Sequence, residues 1–453
     1  MPVTPDRVGG RVPGSLGPIA VTWLGGILVA SCILLPLDTG FPGVPLLGHP
    51  LSAAAAISIA VFVVLAVLSQ GRIFALLRRR YCVIQTLYFL MLVVASLRAD
   101  SLLVALHASL VYYCTFVLNY VVLLYVILVG GVHRLVVLVS VAGVVAAAIG
   151  ILQGVFGVRF GAFDEWFARY YQAAAPDPGS EAFRGVGTLN NPILYGVAIA
   201  LLVPYVFALR RVWLSCMILP VLLLAAGLSG SRTVLLPFLV FLGGAVMVYR
   251  WRVLWVVPVL AASLLVGVRQ LGGWTAASSD PRVRFLVGRL GVGDDPTSQS
   301  SVGNLYIRKE ALSRGARDVA TEWGPITWLV GRGQLSASHV GRQVSSDYGT
   351  VDNAFFGVFY EKGLIGVALF LCAFLALLYQ TRRARRVTLH WYGLVALLAT
   401  GVSFNFDAYS TFNILAVGSI AIATELAEGL EEPPDRAPAD PEPDAAIEPW
   451  AGP

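Results

Sequence analysis

Arg232 lies in Leu228-Ser-Gly-Ser-Arg-Thr-Val234, a connection of a few residues between two apolar runs. A guanidinium that close to hydrocarbon is costly unless it is paired or hydrated, and no acid lies near it in sequence. It either grips an anion, since arginine suits bidentate contact with phosphate oxygens, or snorkels to lipid headgroups. Arg184 lies in Phe183-Arg-Gly-Val-Gly-Thr-Leu-Asn-Asn-Pro192, a tight polar return into an apolar run. Asn191 suits the cap and Pro192 the first turn of the helix that follows, which accounts for the asparagines but not for the arginine. Arg308 is a third anion candidate, although Lys309, Glu310, Arg314 and Arg317 around it also describe a solvated helix face. Asp352 precedes an apolar helical stretch, so it reads either as an N-cap or as a carboxylate that takes a proton from an acceptor hydroxyl. Glu361 would sit about 180° round and about 13 Å along if one helix ran from Asp352, which excludes a catalytic pair and leaves Glu361 to Lys362 or to the cap. Asp407 is a spare acid on another turn. His339 is the one histidine between residues 269 and 354, a base by type but equally a solvated loop residue.

The elements that must carry these residues are membrane helices. The chain of 453 residues is 57% hydrophobic and only 13% charged, with mean hydropathy +0.77. A soluble domain is nearer a quarter charged, so an all-α polytopic membrane protein is expected. Apolar runs fall at about 17–37, 51–69, 81–97, 102–129, 135–154, 192–209, 212–228, 233–249, 253–268, 355–380, 389–405 and 411–425. That predicts about 12 transmembrane helices, helices 1–9 in 17–268 and helices 10–12 in 355–425. Every second connection is arginine-rich: Arg72 with Arg78–Arg80, then Arg134, Arg210–Arg211, Arg250 with Arg252, and Arg382–Arg386. The positive-inside rule then puts both termini in the cytoplasm.

Two outer segments are long. Residues 155–191 form one loop, and 269–354 form a large extracytoplasmic cap loop between helices 9 and 10, beyond ordinary loop length. Within it 302–322 reads as a helix weakened by Gly315. Residues 1–16 form a polar cytoplasmic N-terminus, and 426–453, acidic and proline-rich, a disordered cytoplasmic tail. No cleavable leader is expected, because the first apolar run is long and no small-residue cleavage site follows it.

Several chemistries lack their residues. The five cysteines fall in apolar runs without metal-type spacing. There is no HExxH, GxSxG or Walker motif, so metallohydrolase, serine-hydrolase and nucleotide-driven readings have no support. The arginines lie beside apolar runs, so the net charge of +6 reads as membrane orientation and not nucleic-acid binding.

An ordered set of short motifs resembles the O-antigen ligase and O-antigen polymerase superfamily. Gly150-Ile-Leu-Gln153 is similar to its G-x-x-Q before the first outer loop. Arg184, Gly185, Gly187 and Asn190-Asn-Pro192 resemble its return segment, and Ser229-Gly-Ser-Arg-Thr233 its short turn. Arg308 followed by Gly331-Arg-Gly333 resembles its cap segment. Asp352-Asn353, nine residues, then Gly363-Leu-Ile-Gly366 matches the spacing of H-[NSQ]-x9-G-x-x-G, with Asp352 where the ligases carry histidine.

The resemblance implies a metal-independent glycosyltransferase at the extracytoplasmic face of the bacterial cytoplasmic membrane. The donor would be a glycan on undecaprenyl diphosphate, the acceptor a hydroxyl of a glycan or lipid-linked chain, with no cofactor and with polysaccharide-assembly partners. Asp352 tilts the reading towards a polymerase over a ligase. Catalysis would fall to Asp352, Arg232 and Arg184, and substrate binding to Arg308, Asn353, Asn191, Arg332 and His339. A flippase for lipid-linked saccharides is the rival from another class; it predicts charges along a midplane path and repeat-like halves, whereas here the charges gather at one face and no repeat is visible. A peptidoglycan-type transferase of the shape-and-division family is the enzyme rival, but its motifs are missing.

Overall fold

The computed structural model describes residues 17–35, 40–46, 49–156, 158, 186–189, 192–229, 231–249, 298–337, 340, 343, 353–401 and 410–429. Helix α1 is Pro18–Leu34. Strands β1 (Gly40–Leu46) and β2 (His49–Ser52) form an antiparallel hairpin. Helix α2 (Ala53–Leu68) leads through a 3-10 segment, Arg72–Arg78, bent by 119°, into α3 (Arg80–Ser96). The long α4 (Leu102–Gly130) carries one π turn at Cys114–Leu118. Then come α5 (Val132–Phe156), α6 (Pro192–Leu201), α7 (Val203–Phe207), α8 (Val212–Leu228) and α9 (Leu235–Tyr249). The rest is α10 (Ser298–Glu322), α11 (Pro325–Val330), α12 (Ala354–Gln380), α13 (His390–Gly401) and α14 (Ser410–Gly429).

The helical class holds, with the hairpin as an addition in a stretch expected to be a plain connection. Each expected apolar run is mostly helical where it is described, with residues 51–52 taken into the hairpin; the run at 253–268 lies outside the described residues. The run expected at 192–209 breaks at Leu202, two residues before Pro204, whose missing N–H and fixed φ favour the start of a helix over its middle. The cap helix begins at Ser298, four residues earlier than its pattern predicted.

Among the described residues, three helices are long and apolar enough to cross a membrane: α4, α5 and α12, or four spans if α2 and its bent partner count as one. Five further apolar stretches have the length of a shorter helix, α1 and α3 among them. At 1.5 Å per residue a 17-residue helix covers about 25 Å, just under the roughly 30 Å hydrocarbon core. The outward faces fit lipid. Leu87, Leu90 and Val94 on α3 and Leu239, Leu242 and Val246 on α9 are about half exposed, at spacings that put each trio on one helix face.

Among the described residues most of the core is one apolar cluster, and a separate small one joins the cap to α12 through Val319, Ala337, Val340 and Tyr360. Helix α1 packs against α5 and the second half of α4; α14 packs against that same half; α8 covers α5; α9 lies on α13. Helix α3 is held between the first half of α4 and α12. The long α4 therefore connects two ends of the bundle. At one end Gly130 and Arg134 meet Thr22 at the start of α1, and Arg79 pairs with Glu428 at the end of α14. At the other end Ser109 of α4 meets Ser96 of α3 and Gln334 beyond α11. The arginine-rich connections around residues 79, 134 and 383 share the first end; the cap segment sits on the second.

Candidate functional site

Four segments far apart in sequence build the cap end of the bundle. The first is the end of α5. Gln153, fully buried, donates from Nε2 to the Gly187 carbonyl at 3.1 Å and accepts at Oε1 from the Val186 amide at 3.1 Å. Thr188 donates to the Ile33 carbonyl at 2.6 Å, tying the same segment to the end of α1. One glutamine thus anchors the backbone two and three residues after Arg184. Arg184 and Asn191 themselves lie outside the described residues, and α6 starts at Pro192 as expected.

The second segment is the turn at Ser229. Its buried hydroxyl donates to Ala226 O at 2.6 Å and accepts from the Ser231 amide at 3.2 Å. The turn is pressed against Gly196 of α6, where a Cβ would run into Ser229 and Val234. Arg232 begins the 3-10 turn Arg232–Val234, so its backbone stands against the first turns of α6, just past the segment that Gln153 holds.

The third and fourth segments are locked to each other. Helix α12 breaks at Gly363, with φ 64° and ψ −165°. The carbonyls of Tyr360 and Glu361, in the turn before the break, accept from the amides of Arg332 and Gly333 at 2.9 and 3.0 Å. Both glycines of Gly331-Arg-Gly333 have positive φ, 76° and 114°, and each lies where a Cβ would strike backbone: the Glu361–Lys362 peptide for one, the Arg98–Ala99 peptide for the other. Arg98 closes the contact, donating to Gly331 O at 2.6 Å and to Thr327 Oγ1 at 3.2 Å. Gln334 completes it, its amide to Ala95 O at 3.3 Å and its Oε1 accepting from Ser96 at 3.0 Å and Ser109 at 2.7 Å. The G-x-G and G-x-x-G patterns are therefore two halves of one backbone clasp. Gly366 contributes by leaving room for the stem of Lys362.

Inside the clasp Lys362 is 2% exposed, 3.2 Å from the Glu361 carboxylate and 5.9 Å from the Tyr88 ring centre. The local Glu361–Lys362 pair is as expected. A buried lysine needs such compensation.

The site residues within the described segments have clear surroundings. Asn353, not Asp352, is the N-cap of α12: its Oδ1 accepts from the Phe356 amide at 2.9 Å. The cap reading of Asp352 is thereby corrected, and so is the projection of Glu361 from it, because the helix starts two residues later. Asp352 and His339 lie outside the described residues. Arg332 reaches Asp318 at 2.6 Å and also Glu322, while the Tyr360 hydroxyl donates to Asp318. Burial works against the Arg332 charge, but the Glu322 bond and the neighbouring Tyr360 and Asp318 hold its pKa above the usual arginine value. Its guanidinium thus serves the cap, joining α10 to α12. Arg308 lies in α10, described by its backbone alone. Gly315 of α10, expected to weaken the helix, sits where the Phe356 ring packs, 2.8 Å from its absent Cβ.

Arg98 and Gln334 carry more of the cap than their sequence context suggested. Arg98 is the lone arginine of an otherwise sparse connection, and Gln334 follows directly on the Gly-Arg-Gly segment. Helix α11 adds an exposed apolar edge: Ile326 is 71% exposed beside half-exposed Leu329 and Trp328, with Trp323, Phe359 and Tyr360 packed behind. Apolar and aromatic side chains on the outer face of a short helix suit a membrane interface. Comparison with known protein families and with curated proteins finds no match for this chain.

Proposed function

We propose that this chain is a multi-pass glycosyltransferase of the bacterial cytoplasmic membrane, with about twelve crossings, both termini cytoplasmic and its active site on the extracytoplasmic face. It transfers or polymerises glycan from an undecaprenyl-diphosphate donor onto a hydroxyl acceptor, with polymerisation favoured over attachment to a lipid core. The observation that supports this best is convergence. The segments following Arg184, around Arg232, at Gly331–Gly333 and at Asn353–Gly366 are separated by up to 180 residues, yet they build the same end of the bundle, away from the arginine-rich connections.

In this reading Arg184 and Arg232 neutralise the charge that grows on the diphosphate as the glycosidic bond to it breaks. Asp352 takes the proton of the attacking hydroxyl. The cap, closed by the Arg98 and Gln334 clasp, covers the reacting groups, and the activated donor supplies the driving force. The test is complementation of a deletion strain with Arg232→Ala. Single-unit surface chains at a normal protein level are expected. Normal chain lengths would overturn the diphosphate role, and lipid-linked donor trapped on the cytoplasmic side would point to a flippase instead.

A further inference from the structure

The opposite end of the bundle holds a cleft of about 450 Å³, the size of a small-ligand site. Arg78, Arg79 and Arg80 line it from the start of α3, Arg382 and Arg383 from the turn after α12. Arg79 is held by both carboxylate oxygens of Glu428, and Glu425, one turn back on α14, also bears on it. Among the described residues, five arginines therefore line the space against one carboxylate, that of Glu428. Arg382 lies 3.9 Å over the ring of Tyr379 at the rim, a contact that fixes its planar donors. At the inner wall Tyr120 is fully buried, with Thr424 beside its hydroxyl. Membrane orientation explains arginines in each connection, but not why two connections some 300 residues apart enclose a cavity with the end of α14.

We propose that this cleft binds a phosphate-bearing anion, namely the headgroup of an anionic phospholipid in the leaflet facing the arginine-rich end. Planar guanidinium donors match phosphate oxygens, and basic pockets between membrane helices suit such headgroups. The proposal rests on the chain spanning a membrane and is independent of glycan transfer.

The experiment uses the full-length protein in lipid nanodiscs, with cardiolipin against phosphatidylcholine as probes and bound lipid counted by native mass spectrometry. Arg80→Gln with Arg382→Gln should weaken cardiolipin retention about fivefold per arginine removed. Arg134→Gln with Arg210→Gln, an equal charge loss outside the cleft, should leave it unchanged. The double lysine variant, Arg80→Lys with Arg382→Lys, keeps the charge; it should retain the lipid and covers the case in which the glutamine variant does not fold. Equal losses in the cleft and control variants would overturn the site, because the arginines would then act as a general basic surface. A further arm titrates inorganic diphosphate into delipidated protein. Diphosphate binding that depends on Arg80 and Arg382, with no preference for cardiolipin, would overturn the lipid assignment in favour of a free phosphate.

Discussion

The backbone amide of Gly331 lies 2.6 Å from where a Cβ of Gly363 would stand, so the cap and α12 touch backbone to backbone. Both residues have positive φ. Gly363→Ala and Gly331→Ala should each cost about 1–3 kcal/mol in strain alone, before the clash. Limited proteolysis should show faster cutting around residues 323–337 in both. Gly324→Ala, at a site with nothing within 4 Å, is the control and should leave cutting unchanged.

Arg98→Ala removes two charge-assisted donors from the clasp, so a loss of about 1.5–3 kcal/mol is expected. Hydrogen exchange at the amides of Arg332 and Gly333 should speed up accordingly. Unchanged protection there would mean that Arg98 does not hold the cap.

Gln334→Leu removes the acceptor shared by two buried hydroxyls, which keep the Leu92 and Ala105 carbonyls, so a modest loss of about 0.5–1.5 kcal/mol is expected. Ser96→Ala with Ser109→Ala should cost less in the Gln334→Leu background than in the parent, because the shared contact is already gone. Thermal unfolding of the single, double and triple variants decides it; strictly additive losses would refute the network.

Asn353 and Asp352 should separate stability from chemistry. Asn353→Ala loses the cap of α12, about 1 kcal/mol, and Asn353→Ser should restore most of it. Asp352→Asn leaves that cap untouched, so its melting temperature should match the parent while polymer formation falls about 10²- to 10⁴-fold if Asp352 is the base. Full polymer length in Asp352→Asn would remove it from the mechanism.

Lys362→Ala removes the buried cation from beside the Glu361 carboxylate, and a loss of about 3–5 kcal/mol is expected. Glu361→Gln with Lys362→Met should lose less than the single change, measured by the same unfolding assay.

Much of the helical layout is legible from composition alone. Twenty-odd apolar residues in a row leave the backbone one way to satisfy its own polar groups out of water, and that is a helix. Helices α1–α5, α8 and α12 accordingly fall close to their expected bounds. Pro192 marks its helix start for an equally local reason. Where the pattern was ambiguous, local geometry decided: the Asp352-Asn353 pair offers two capping side chains, and only the backbone shows that Asn353 reaches the Phe356 amide.

The partners of the motifs were not legible, because they are set by the approach of segments that no local pattern links, some of them more than 200 residues apart. Nothing in Gly331-Arg-Gly333 says that its amides will meet carbonyls of α12, or that Arg98 and Gln334 will hold it there. Those contacts exist because α3 packs between α4 and α12, which brings Ala95, Ser109 and Tyr360 to one place. The sequence by itself determined a membrane-type helical chain with arginines gathered in alternate connections, since hydropathy and charge act residue by residue. Only the tertiary structure decided that its glycine motifs interlock, that Arg332 serves Asp318 and Glu322, and that the connections at Arg80 and Arg382 enclose a cleft, because each of these depends on which helices become neighbours.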